Sequence, residues 1–348
     1  LLNPPGDKLY ARDKYCTSVS KSNYYWPQID LLCMSGFLNG KYSVSVIDAI
    51  VEKINFEECH QKIIEGDFDA IIFLTSSASW NKDFEFLEKL KNQKEMTLIA
   101  SGGFLLYKGV AVMERFPFLD AIMLDFTTSD ILDYLENRKV KNMIYRENGK
   151  IIVGERNFHK EFSYPVPRHE IFPLKKYTFP LGRERVYTCM ITSFGCPYKC
   201  SFCVPGTIKF KLRNLNNCIE ELRHIRSLGI KEVLFQDSTL TANRKHIMAL
   251  CQKMIEERLN IKWICLSRVD NVDRELLGLM KKAGCHSIQF GVESGDENIL
   301  KDMQKGISKE QVRKAFQWCK EVKIRTNGFF IICMPRETEE TIRKTIDF

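Results

Sequence analysis

The chain lacks any apolar run approaching the ~18–20 residues needed to span a bilayer. Its opening, LLNPPGDKLY, has neither the basic segment nor the long apolar stretch of a secretory leader. That opening also lacks Met and reads as the end of a strand, while ETEETIRKTIDF stops inside a helix; both ends read as cuts through a longer protein. There is no low-complexity tract. No Arg-rich arm and no basic–aromatic repeat points to nucleic acid. The net charge of +8 is spread over 348 residues with acids interleaved, a basic surface that suits an anionic partner such as an acidic electron-transfer protein. Cysteine, by contrast, is plentiful. Thirteen cysteines, an odd number without a secretory signal, argue against a disulfide framework and for a reducing, cytoplasmic setting. Cys189, Cys251, Cys265, Cys285, Cys319 and Cys333 stand singly in apolar segments, where a buried free thiol packs as a small hydrophobe.

Residues 1–140 alternate strand and helix patterns. Strands are predicted at 41–50, 69–76, 96–103 and 119–126, and helices at 55–66, 81–93 and 127–139. This rhythm implies an α/β unit with a doubly wound parallel sheet, whose ligands bind at the carboxyl ends of strands. Asn3-Pro4-Pro5, Thr75-Ser76-Ser77 and Ser101-Gly102-Gly103 fall at such ends. Residues 141–185 read as a connector: a hairpin around Asn148-Gly149, then a proline-rich extended stretch. From 186 to 348 the rhythm resumes, with strands at 186–193, 231–237, 262–268, 286–293 and 326–333 and helices at 215–228, 243–258, 272–283 and 308–322. Repeated βα units suggest a barrel or partial barrel, with active residues on the loops after its strands.

One stretch is set apart by spacing. GCPYKCSFCVPG places Cys196, Cys200 and Cys203 at C-x3-C-x2-C, with Phe202 before the last thiol. Incidental packing, zinc and an iron–sulfur cluster are the three readings. Zinc commonly takes four ligands in two pairs, and no second pair is evident. A cubane cluster has four irons, normally on four thiolates, so three leave one iron open.

The motif resembles the signature of the radical S-adenosylmethionine superfamily, C-x3-C followed two residues later by aromatic-Cys, and it directly follows the first strand of the βα series, VYTCMITSFG. The resemblance covers residues 186–348. It implies a 4Fe–4S cluster on Cys196, Cys200 and Cys203, with S-adenosylmethionine chelating the open iron through its amino and carboxylate groups. It further implies that Phe202 packs beside the cluster and that Asp237, Arg268 and Glu293, each at a strand end, orient S-adenosylmethionine; Arg268 is the fork for its carboxylate. The first 140 residues are similar in order to the flavodoxin-like, cobalamin-binding domain of one subclass. Ser76, Gly102 and Gly103 match elements that approach the corrin in that domain. The D-x-H-x-x-G motif of base-off/His-on cobalamin modules is absent and His60 lies mid-helix, which leaves two expectations: cobalamin bound without a protein ligand to cobalt, or a domain that has lost cobalamin and serves substrate or scaffold roles.

The expected function is a radical S-adenosylmethionine enzyme, a cobalamin-dependent methyltransferase of a cofactor, lipid or natural-product pathway. It would act on a small-molecule or lipid substrate and draw electrons from a flavodoxin or ferredoxin. The alternatives are a cobalamin-independent radical cyclase, oxidoreductase or carbon–carbon coupling enzyme, and a non-catalytic iron–sulfur or zinc scaffold. A methylthiotransferase with a second cluster on Cys16, Cys33 and Cys59 is a further rival, but Cys33 and Cys59 lie in apolar or helical contexts rather than at strand ends.

Overall fold

The computed structural model describes residues 1–12, 18–19 and 24–348, so Cys16 lies outside the described residues. The chain forms two compact units, Leu1–Pro180 and Leu181–Phe348.

The first unit is built on one sheet of seven strands: β1 (Leu2–Asn3), β2 (Ile47–Asp48), β3 (Ala70–Leu74), β4 (Thr97–Ser101), β5 (Ala121–Met123), β6 (Met143–Glu147) and β7 (Lys150–Val153). Their spatial order is β2-β1-β3-β4-β5-β6-β7. The first five are parallel, in the flavodoxin-like order. The hairpin at Asn148-Gly149 adds β6 antiparallel to β5, and β7 antiparallel to β6 at the sheet edge. Strands such as Ala70–Leu74 (AIIFL) are continuous apolar runs because helices cover both faces. Helix Phe56–Glu65 starts at a reciprocal cap, in which Asn55 and Glu58 each accept the other's backbone N–H. Phe73, Phe84, Leu87, Leu90, Leu98 and Ile122 form the core between sheet and helices. Each such side chain contributes about 1.5–3 kcal/mol by leaving water.

The predicted strand at 41–50 shrinks to Ile47–Asp48. The Ser/Val alternation ahead of it imitates a strand. However, β1 offers only two partner positions, Leu2 and Asn3, and Asp48 turns the chain by accepting the Val51 N–H at 3.2 Å to cap a short helix, Ala49–Glu52. The helix expected at 127–139 is confined to Asp130–Leu135. Helix Ile29–Leu38 escaped prediction because all ten residues are buried and it has no polar face to create a period.

The second unit carries five parallel strands in sequential order: β8 (Thr188–Met190), β9 (Glu232–Phe235), β10 (Lys262–Ser267), β11 (Cys285–Glu293) and β12 (Arg325–Phe330). Helices Leu215–Ser227, Arg244–Glu256, Arg274–Lys282 and Lys309–Glu321 connect them, each capped at its start by an Asn, Asp or Ser side chain. This is part of a βα barrel, and every connection leaves a loop at the carboxyl end of its strand. Cys189, Cys251, Cys265, Cys285 and Cys319 are buried as expected. Cys333 is exposed: β12 ends at Phe330, and Cys333 sits in a bend with φ +67°. Among the described residues no helix is long and apolar enough to cross a membrane.

Candidate active site

The loop after β8 carries the three spaced thiols. Its entry is fixed by Asp237, just beyond β9. One Asp237 carboxylate accepts the Thr192 N–H, the Thr192 hydroxyl at 2.8 Å and the Ser193 hydroxyl at 2.6 Å. Burial pushes its carboxyl up to about 6, against the pull of these hydrogen bonds. Gly195 follows with φ +78°, and a Cβ there would lie 2.7 Å from the Ile208 carbonyl oxygen. A Cβ on Gly206 would lie 2.4 Å from the Tyr198 carbonyl oxygen. Glycine at these two positions lets the loop close on itself.

Cys196, Cys200 and Cys203 are half-buried, whereas the single thiols of the strands and helices are sealed inside. Burial pushes the Cys196 thiol up; burial together with the other two thiols pushes Cys203 up to about 11. Three thiolates cannot gather here without a compensating cation. Among the described residues, no three His, Cys, Asp or Glu side chains converge on a point that could hold one metal ion. Three thiols on one loop can each take a separate iron of a cubane, whose irons are normally held by four thiolates. The donor set fits a cluster bound at three corners.

Neighbouring strand ends grip the loop. Arg268, just after β10, lies with its guanidinium 3.9 Å from the Tyr198 ring centroid and donates to Cys200 Sγ at 3.6 Å. Burial opposes its charge, but the Asp270 fork and the adjacent Cys200 and Tyr198 lift its pKa above the usual range. The Tyr198 hydroxyl donates to Asn271 Oδ1 at 2.6 Å. The Ser201 N–H donates to the Met303 carbonyl at 3.0 Å. At the end of β11, a register shift after Gly291 and a positive φ of 67° re-aim Glu293. Its carboxylate accepts from Lys305 Nζ at 2.7 Å, both side chains under a tenth exposed. The Lys305 ammonium also lies 6.0 Å from the Phe202 ring centroid.

The predicted residues of this unit thus occupy one set of strand ends, each already engaged: Asp237 with Thr192 and Ser193, Arg268 with Cys200 and Asp270, Glu293 with Lys305. Lys305 and Tyr198 were missed. Lys305 lies twelve positions beyond Glu293, and only the turn after the short helix Glu297–Asp302 returns it. Ser238 was missed as well; its buried hydroxyl has no hydrogen-bond partner, as a group awaiting a ligand would.

In the first unit, Ser76, Gly102 and Gly103 stand at the carboxyl edge of β3 and β4 and are buried. Ser76 Oγ shares a hydrogen bond with Ser79 Oγ at 2.8 Å. A Cβ on Gly102 would lie 2.3 Å from the Thr75 carbonyl oxygen, so glycine is demanded by the crossing of two strand exits. Arg12 fills the edge between β1 and β3: it pairs with Asp83 at 2.5 Å and donates to Asn3, Ser79 and the carbonyls of Pro4 and Pro5. Cys33 and Cys59 are buried in helices, with burial pushing Cys59 up to about 12, which suits packing rather than cluster ligation. His60 is half-buried on helix Phe56–Glu65.

A three-thiol loop at the carboxyl end of the first strand of a βα series defines a class. Residues 190–348 match the Radical SAM superfamily, and the chain belongs to that superfamily, whose enzymes carry a 4Fe–4S cluster and S-adenosylmethionine. The chain is 30% identical over 345 residues to a Pyrococcus horikoshii protein described as an uncharacterized methyltransferase, PH0819, covering 92% of this chain and 72% of that one. It is 24% identical over 361 residues to the anaerobic magnesium-protoporphyrin IX monomethyl ester cyclase of Rubrivivax gelatinosus, covering 97% and 64%. Its fold is similar, at a TM-score of 0.72 and 18% identity, to the radical S-adenosylmethionine methyltransferase TsrM from Kitasatospora setae, with cobalamin and a [4Fe-4S] cluster bound; 92% of this chain and 66% of that one are covered. The chain thus spans just under two thirds of the cyclase and of TsrM.

Proposed function

We propose that this protein is a cobalamin-dependent radical S-adenosylmethionine methyltransferase acting on a small-molecule substrate. The observation that carries the proposal is the half-buried trio Cys196, Cys200 and Cys203, ringed by fixed charges at successive strand ends. These thiols would hold three corners of the cluster, and Phe202 would pack beside it. When bound, a cluster of this kind would supply the one electron for reductive cleavage of S-adenosylmethionine to methionine and a 5′-deoxyadenosyl radical.

The chain's own residues divide the work. Glu293 and Lys305 form an anion–cation pair within reach of the thiol loop, the complement of an amino-acid zwitterion. Glu293 would take the ammonium and Lys305 the carboxylate, each exchanging its present partner for one of opposite charge on the ligand. Asp237 and Arg268, occupied by protein groups, would act one layer back by holding the loop. The unpartnered Ser238 hydroxyl is free to receive a ligand group.

Cobalamin is supported by the flavodoxin-like strand order, which leaves its ligand crevice at the carboxyl edge of β1, β3 and β4, and by likeness to TsrM. Ser76, Gly102 and Gly103 would shape that edge through backbone packing. Cobalamin, when bound, supplies a carrier for the methyl group. A flavodoxin or ferredoxin suits the basic surface as electron donor. Similarity to the anaerobic cyclase supports a second reading, radical cyclisation without methyl transfer.

Products separate these readings. Reduced, cluster-loaded protein given S-adenosylmethionine, cobalamin and candidate acceptors should release both 5′-deoxyadenosine and S-adenosylhomocysteine, and should retain corrin through gel filtration. 5′-Deoxyadenosine alone, without corrin, would favour the cyclase-type reading. Neither product from iron-loaded protein would leave a non-catalytic scaffold.

A further inference from the structure

The Arg268 side chain is only 5% exposed and is held from several sides. Nε and Nη2 fork onto the two Asp270 oxygens at 2.9 Å each. Nη2 also donates to the Lys305 carbonyl at 2.6 Å, and the guanidinium plane rests against Tyr198. The edge an incoming carboxylate would use is therefore occupied by Asp270. What points at the thiol loop is Nη1, which donates to Cys200 Sγ at 3.6 Å. Tyr198 belongs to the same loop and is tied through its hydroxyl to Asn271, so loop and guanidinium are fixed relative to each other from two directions.

We propose that Arg268 is a positioning residue that sets the reduction potential of the cluster through Cys200, with Asp270 as its opposing charge. This rests on the reading of Cys196, Cys200 and Cys203 as cluster ligands. The step affected is uptake of one electron from a low-potential one-electron donor, taking the cubane core from 2+ to 1+ with no proton and no bond broken. That electron adds negative charge to the iron–sulfur core and its thiolates. A hydrogen bond and a positive charge at one thiolate sulfur stabilise the more negative state and raise the potential. The Asp270 carboxylate, on the far side of the guanidinium, acts in the opposite sense. Removing Arg268 should therefore make the cluster harder to reduce, and neutralising Asp270 should make it easier.

The test is a potentiometric titration followed by electron paramagnetic resonance on the anaerobically reconstituted chain, without S-adenosylmethionine, for the parent, Arg268→Gln and Asp270→Asn. Iron and sulfide are counted in each. At a fixed poise the reduced-to-oxidised ratio should fall at least tenfold in Arg268→Gln, a shift of about 59 mV for one electron, and should rise in Asp270→Asn. Shifts of opposite sign are what a merely structural role does not produce. If both variants load normally and titrate within twofold of the parent, or shift in the same direction, the inference fails while the cluster reading stands. If Arg268→Gln does not load, Asp270→Asn decides: an upward shift supports the inference, and none overturns it. A parent that carries no cubane overturns both.

Discussion

Breaking the Glu293–Lys305 pair should cost stability and ligand affinity in ways that a double substitution pulls apart. At 2.7 Å the gross attraction is about 6 kcal/mol at an effective dielectric of ~20. Most of that is offset by stripping water from both ions, whose side chains are 8% and 7% exposed. Removing one partner leaves the other charge buried without compensation, at a cost of about 3–5 kcal/mol. Replacing both with apolar groups of similar size removes the pair and its desolvation together, and costs far less. Glu293→Met and Lys305→Met should therefore each destabilise the second unit by about 3–5 kcal/mol, while Glu293→Met/Lys305→Met should lie within about 1.5 kcal/mol of the parent. The assay is denaturant unfolding followed by tryptophan fluorescence, read on the transition that reports Trp263 of β10. Affinity should behave differently. All three variants should bind S-adenosylmethionine at least tenfold more weakly in equilibrium dialysis, because a charged hydrogen bond is worth about 1.5–3 kcal/mol. A double variant that is both stable and tight-binding would refute the assignment of this pair as the zwitterion receptor. Single variants as stable as the parent would refute its burial.

Other expectations follow from the same geometry. Gly195→Ala should cost about 1–2 kcal/mol for its left-handed backbone, with more from the clash at the Ile208 and Lys209 carbonyls, and iron bound per chain should drop. Asp237 has a folded pKa of about 6 against 3.8 for the free group, so the folded chain holds that proton more tightly. Its contribution is fully present below about pH 4 and is lost as pH rises through about 6, on the order of 3 kcal/mol in all. Asp237→Asn should flatten that part of the stability profile relative to the parent; an unchanged slope between pH 4 and 6 would count against it. Arg12→Met strands Asp83, fully buried, and should destabilise the first unit by about 3–5 kcal/mol in thermal unfolding.

The thiol loop was legible because its spacing sets it apart and resembles a known signature: GCPYKCSFC needs no partner from elsewhere in the chain. The βα rhythm was legible too, since AIIFL and similar runs are buried on both sides and the helices between them carry capping residues such as Asn55 and Ser308. What sequence could not supply was the pairing of side chains across strand ends. Asp237, Arg268 and Glu293 each sit at a strand end as expected, but their engagements with Ser193, Asp270 and Lys305 depend on loop paths that carry no period. Arg268 lies two residues from Asp270, and nothing in CLSRVD distinguishes a free fork from one closed on its neighbour. Helix Ile29–Leu38 was invisible for the opposite reason: complete burial erases the amphipathic signal. The strand expected at 41–50 was drawn from alternation that neighbouring strands were too short to use.

The most direct test of the central claim is the spectrum of the anaerobically reconstituted, reduced chain before and after S-adenosylmethionine, paired with metal counting. The account predicts about four irons per chain and a cubane signal that changes when S-adenosylmethionine reaches an iron with no protein ligand. A single zinc per chain, or a cubane signal indifferent to S-adenosylmethionine because a side chain holds the last corner, would contradict it.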